Sequence, residues 1–100
     1  MIPKITLEQW QTFRCVVDEG SFARAAEALN KSPSSISYAI GQLNAQLPQP
    51  VLRIEGRRSV LTEAGKVLYR HVEQLLKQAS AAEAVARARD YSVGYYRGAA

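Results

Sequence analysis

Apolar residues recur at helical spacing in four stretches of the chain, separated by polar breaks and one strand-like run. Leu7, Trp10, Phe13, Val16 and Val17 form one face of a first helix. Thr6 precedes it as an N-cap, with Gln9 three residues on at capping-box spacing, and Gly20 stops it. Ser21 caps a second helix, where Phe22, Ala25, Ala26 and Leu29 follow the i, i+3, i+4, i+7 rule. Its paired alanines admit a close helical neighbour. Asn30 and Lys31 make a tight turn. Ser32 then caps a third helix with Pro33 at its first position, where a missing N–H costs nothing. Ile36, Ile40, Leu43 and Leu47 form its narrow apolar stripe, and Ser34, Ser37, Tyr38, Gly41 and Gln42 occupy the opposite face. Pro48 and Pro50 end it.

Residues 51–61 read as two short strands about a turn near Gly56, with arginines at the tip. Thr62 and Glu63 open a fourth, longer helix running to about Arg89. Along it Leu68, Val72, Leu75, Ala79, Ala82 and Ala86 are spaced 4, 3, 4, 3 and 4, a heptad seam. The spacing predicts that a second copy covers this seam and that the chain is a homodimer, the alternative being a single helix packed on its own domain. Two-fold symmetry would then present two copies of the third helix to two half-sites.

The length of 100 residues bounds the chain to one domain with a modest core. An apolar fraction of 47% argues against disorder throughout. The single cysteine, Cys15, excludes an intramolecular disulfide, fits a reducing compartment and reads as a small buried hydrophobe. No apolar run approaches the ~20 residues that span a bilayer, and the N-terminus lacks a signal-peptide stretch. The expectation is a cytoplasmic protein, nucleoid-associated when bound to DNA and with no membrane partner. The net charge of +4 is unevenly placed: residues 31–70 hold six cations against two anions, while residues 1–30 hold three against four. A basic segment beside an exposed helix is the footprint of a polyanion binder.

The third helix presents Ser32, Ser34, Ser35 and Ser37 as short donors for phosphates or base edges, and Tyr38 offers a hydroxyl or a ring to a thymine methyl. Its first two turns lack Arg, Asn and Gln, so strong bidentate base contacts are missing there. Gln42 is the first amide. Phosphate contacts, shape and apolar contacts are therefore expected to carry much of the readout. Nothing points to catalysis: His71 is the only histidine, no serine has a base in a recognisable motif, and no Cys/His cluster has metal-ligand spacing. Neither metal nor cofactor is expected.

Trp10-x-x-Phe13-x-x-Val16, Gly20-Ser21-Phe22-x-x-Ala25-Ala26-x-x-Leu29 and Ser32-x-x-x-Ile36-Ser37-x-x-Ile40-x-x-Leu43 resemble the N-terminal domain of LysR-type transcriptional regulators. Leu61-Thr62-Glu63-Ala64-Gly65 is similar to the start of that family's linker helix. The resemblance covers about residues 5–88. It implies a mainly α fold, a winged helix-turn-helix of three helices and a two-stranded wing over residues 1–61. A linker and dimerisation helix follows over 62–89. Residues 90–100 are expected to be a flexible tail, with the effector domain of the family absent. The implied function is sequence-specific binding of double-stranded DNA at inverted-repeat promoter sites, with higher oligomers open to a full-length protein. Carried over by position, the DNA-facing sites fall on Ser32, Pro33, Ser34, Ser37 and Tyr38, and in the wing on Arg57 and Arg58. Ser35, Gln42 and Arg53 complete the candidate surface. The chain departs from the family pattern at Ile54, where an arginine is usual, which leaves open whether Arg53 substitutes from the opposite strand face. It departs again at Gly41 and at Asn44, the latter in place of a glutamate. An alternative is a dimerisation module that pairs with full-length relatives without gripping DNA strongly itself.

Overall fold

The computed structural model describes residues 4–88, in the order α1 (Leu7–Glu19), α2 (Phe22–Leu29), α3 (Pro33–Ala45), β1 (Leu52–Glu55), β2 (Arg58–Leu61) and α4 (Glu63–Ala88). Arg89 and the expected tail at 90–100 lie outside the described residues. The caps are local and follow the sequence. The Thr6 hydroxyl accepts the Gln9 N–H at 3.1 Å, and the Gln9 side chain accepts the Thr6 N–H at 2.8 Å. Ser21 accepts from the Arg24 N–H and Ser32 from the Ser35 N–H. Each such cap is worth about 1 kcal/mol. Gly20 closes α1 at φ +86°, a left-handed conformation that other residues rarely adopt.

α1 is the hub. Phe13 and Val16 are wholly buried there, together with Ala25 and Ala26 of α2, Ile36, Ile40 and Leu43 of α3, Val51 and Leu52 at the wing base, and Val72 of α4. Phe13 meets Trp10 and Tyr69 edge-on, with ring centroids at 6.3 and 6.4 Å. Leu7, placed on the apolar face by periodicity, is half exposed, whereas Thr12 is buried and donates to the Glu8 carbonyl. The core stripe of α1 thus begins one turn later than the apolar spacing suggests. α1 packs on α2, α3, α4 and β2.

The first half of α4 corrects the seam. Val72, assigned to a dimer interface by its heptad position, is 2% exposed in the domain's own core, and Leu68 packs against that core too. Leu76, outside the seam, does likewise. α4 packs on α1, and the ring of its Tyr69 meets Phe13 of α1. The helix is locked there by the Tyr69 hydroxyl, which lies against the carboxylates of Asp18 on α1 and Glu73 on α4. Leu75 remains 41% exposed, Ala79 is half-buried, and Ala82 and Ala86 are exposed.

The strands pair antiparallel, with Leu52 opposite Leu61 and Glu55 opposite Arg58. Gly56 takes φ +66° while Arg57 stays negative, the signs of a two-residue type II′ hairpin turn. The wing base is tied to three elements. Ser59 N–H donates to the Gly20 carbonyl at 2.9 Å, and Val51 N–H donates to the Asn44 side chain at 3.0 Å. Thr62 caps α4: its hydroxyl accepts the Gly65 N–H and donates to the Pro50 carbonyl, while its N–H donates to the Val51 carbonyl. Among the described residues no helix is long and apolar enough to cross a membrane.

Two tests follow from this packing. A Cβ on Gly65 would strike the Val51 carbonyl and sit 3.0 Å from Leu61 Cδ2. Gly65→Ala should therefore lower stability by about 2 kcal/mol, read as a lower urea midpoint at unchanged slope. The Tyr69 phenol is pushed well above its ordinary value by burial, then by its hydrogen bond to Asp18 and the charges of Asp18 and Glu73. Its folded pKa exceeds its unfolded one, so its contribution is complete below about pH 10 and is lost as pH rises beyond that. Tyr69→Phe should flatten the fall in stability above pH 10; an unchanged alkaline limb would refute the assignment.

Candidate nucleic-acid interface

α3 buries Ile36, Ile40 and Leu43 and leaves its other side open. Ser32, Pro33, Ser34, Ser35, Ser37, Tyr38, Gly41 and Gln42 are all exposed, and Tyr38 is 69% exposed. The three N-terminal hydroxyls are gathered: Ser32 Oγ lies 3.3 Å from Ser34 Oγ and donates to Ser35 Oγ at 3.1 Å. They stand at a helix N-terminus whose open N–H groups and dipole favour an anion. Gly41 faces open space, so a larger residue would fit there by volume.

Tyr38 and Gln42 are not independent. The Gln42 amide donates to the Tyr38 hydroxyl at 2.7 Å, one helical turn apart. They line a groove with Lys31, Glu8 and Thr12, in which Lys31 and Glu8 form an ion pair at 3.0 Å. That pair holds the helix-turn-helix turn onto α1 and offsets the lysine charge beside α3.

The wing places its arginines in different surroundings. Arg53 and Ile54 project from opposite faces of β1, as residues one apart on a strand must. Arg53 pairs with Glu55 two residues on, at 2.9 Å, so part of its charge is already answered. Arg57 at the turn and Arg58 opposite Glu55 are exposed and form no ion pair among the described residues. Ile54, at the position where an arginine is usual, is 52% exposed. The Arg53–Glu55 pair was legible in strand periodicity, since i and i+2 share a face. Asn44 was not: its role is to accept a backbone N–H from Val51, seven residues away.

Two other groups fall outside the surface. Cys15 is half-buried against the core, and burial, then Glu19 and Asp18, push its thiol up, so it stays protonated near neutral pH. His71 is exposed on α4. Among the described residues no group of His, Cys, Asp or Glu could hold a metal ion.

A family model described as the bacterial regulatory helix-turn-helix protein, lysR family, matches residues 7–66. A probable RuBisCO transcriptional regulator of Cyanidioschyzon merolae is 38% identical over 71 residues, which cover 71% of this chain and 23% of that relative. The chain spans about a quarter of the length of the curated relatives it matches. Among solved structures, the CbnR_DBD–DNA complex superposes with a TM-score of 0.76 at 28% identity, over 83% of this chain and 95% of that one. The BenM_DBD complex with benA site 1 DNA gives 0.77 at 26% identity, over 82% and 92%. The four helices, the two-stranded wing and the family match over most of the domain agree: this chain belongs to the LysR family of bacterial regulatory helix-turn-helix proteins.

Proposed function

We propose that the chain is a sequence-specific DNA-binding unit for transcriptional regulation, with residues 1–61 as the reading domain and 62–89 as the pairing helix. The observation that carries this is an exposed surface in two parts: the polar face of α3, and a wing whose tip arginines have no acidic partner among the described residues. Relatives of the same fold have been solved on DNA. α3 enters the major groove with its serines and Tyr38 toward bases and phosphates, and Arg57 and Arg58 hold the adjacent backbone. Ser32, Pro33, Ser34, Ser35, Ser37 and Gln42 belong to the same contact surface, and Arg53 contributes less because Glu55 shares its charge. A module that only pairs with relatives is disfavoured by this surface, which such a role would leave without use.

The partner is double-stranded DNA carrying an inverted repeat, and the binding species is a homodimer through α4. With Val72 buried inside the domain and Leu68 half-buried against its core, the pairing seam contracts to Leu75, Ala79, Ala82 and Ala86, still spaced 4, 3 and 4. α4 is 26 residues long, about 39 Å at 1.5 Å per residue. Its second half extends past the core and offers small residues that admit a close partner helix.

Fluorescence anisotropy on an inverted-repeat promoter fragment across salt tests the DNA reading. The wild type should bind with a log–log slope of about −0.9 per phosphate neutralised. Arg57→Ala with Arg58→Ala should weaken binding to all sequences alike and flatten that slope by about 2. No binding at low salt would sink the proposal. For the dimer, Leu75→Asp is an exposed change that should yield a folded monomer by sedimentation. An unchanged mass would rule out the contracted seam.

A further inference from the structure

We propose that Gln42 reads adenine in the major groove, with its amide held in orientation by Tyr38. This rests on the reading of α3 as the helix that enters that groove. Two observations support it. The Gln42 Nε2 donates to the Tyr38 hydroxyl at 2.7 Å, and both side chains lie on the exposed face of α3. A glutamine amide has one carbonyl acceptor and two N–H donors. With one N–H committed to Tyr38, it retains Oε1 and the second N–H. That acceptor–donor pair is complementary to the N6 amine and N7 of adenine.

The placement suits the chemistry. Helical side chains lean toward the N-terminus, so the Gln42 amide is carried back to the level of Tyr38, nearer the end of α3 that reads bases. The contact also fixes which end of the amide faces Tyr38. An unrestrained glutamine presents either edge, and turning the amide over would exchange its acceptor for its donor. Tyr38, accepting from Gln42, keeps its own O–H to donate to a phosphate oxygen or a base acceptor. This supplies a bidentate base reader that the first two turns of α3 lack.

The test selects duplexes from a random-sequence pool with the full chain and sequences what is bound. The wild type should yield a two-fold motif with adenine favoured at one position of each half-site. Gln42→Ala should reduce that preference about 10-fold while leaving the other positions in place. Gln42→Glu, an acceptor only, should shift the same position toward cytosine, whose N4 amine donates. Tyr38→Phe keeps the ring and removes the hydroxyl, and it should weaken the adenine preference at that position too. A motif unaltered by Gln42→Ala overturns the proposal. Loss of the preference with Gln42→Ala but not with Tyr38→Phe overturns the orienting role of Tyr38. A wild type that selects no motif at all refutes the underlying reading of α3, an outcome distinct from a motif indifferent to Gln42.

Discussion

The rest of the structure depends on how α1 is covered. Phe13 and Val16 are wholly buried on a helix that packs against α2, α3, α4 and β2 alike. Removing a buried Phe side chain costs about 3–5 kcal/mol, a large share of the stability of a domain this size. The same two residues therefore fix α3 and α4 at once. A change in how either helix sits on Phe13 would be transmitted to the other through a close-packed interior. In a dimer, the separation of the two copies of α3 would follow from this intramolecular packing as much as from the pairing of α4.

The wing is positioned by the same economy of shared atoms. Gly20 ends α1 and accepts from Ser59 with its carbonyl; Asn44 ends the buried run of α3 and accepts from Val51. Thr62 starts α4 while bonding Pro50 and Val51. Each contact is polar, short and made at the terminus of an element, where backbone groups would otherwise lack partners. The arginines at the tip are exposed, yet the strands carrying them are referenced to all three neighbouring helices. Gly65 is the steric condition for this joint, because α4 starts so close to Val51 that a Cβ cannot fit between them.

What was legible in the sequence was local. Capping signals at Thr6, Ser21 and Ser32, the stop at Gly20 and the turn at Gly56 all act within four residues, and each is realised. Long-range contacts were not legible. Heptad spacing at Leu68 and Val72 reports that a helix has an apolar face and is silent on whether the covering surface belongs to the same chain. Asn44 and Tyr69 carry polar groups whose partners lie 7 and 51 residues away, and no periodicity encodes such pairs. The candidate surface on α3 was readable as a blank polar face. The pairing of Tyr38 with Gln42 within it needed coordinates, since spacing by four permits the contact without requiring it.

The distribution of charge across that surface argues for a division of labour. Among the described residues, α3 has no cation of its own, and Lys31 beside it is held by Glu8. Arg57 and Arg58 lie instead at the tip of the hairpin, away from the serines and Tyr38 along the chain. Counterion release scales with phosphates neutralised and is nearly blind to sequence, whereas hydrogen bonds to base edges discriminate and add less to bare affinity. A protein that keeps its unpaired charge in the wing and its neutral donors on the helix can alter one property with little effect on the other. Glu55 strengthens the case: by answering Arg53 it lowers the charge of the wing, and with it the non-specific grip against which any base preference must compete. In the proposed DNA complex, the modest charge beside α3 thus favours selectivity over the strength of binding.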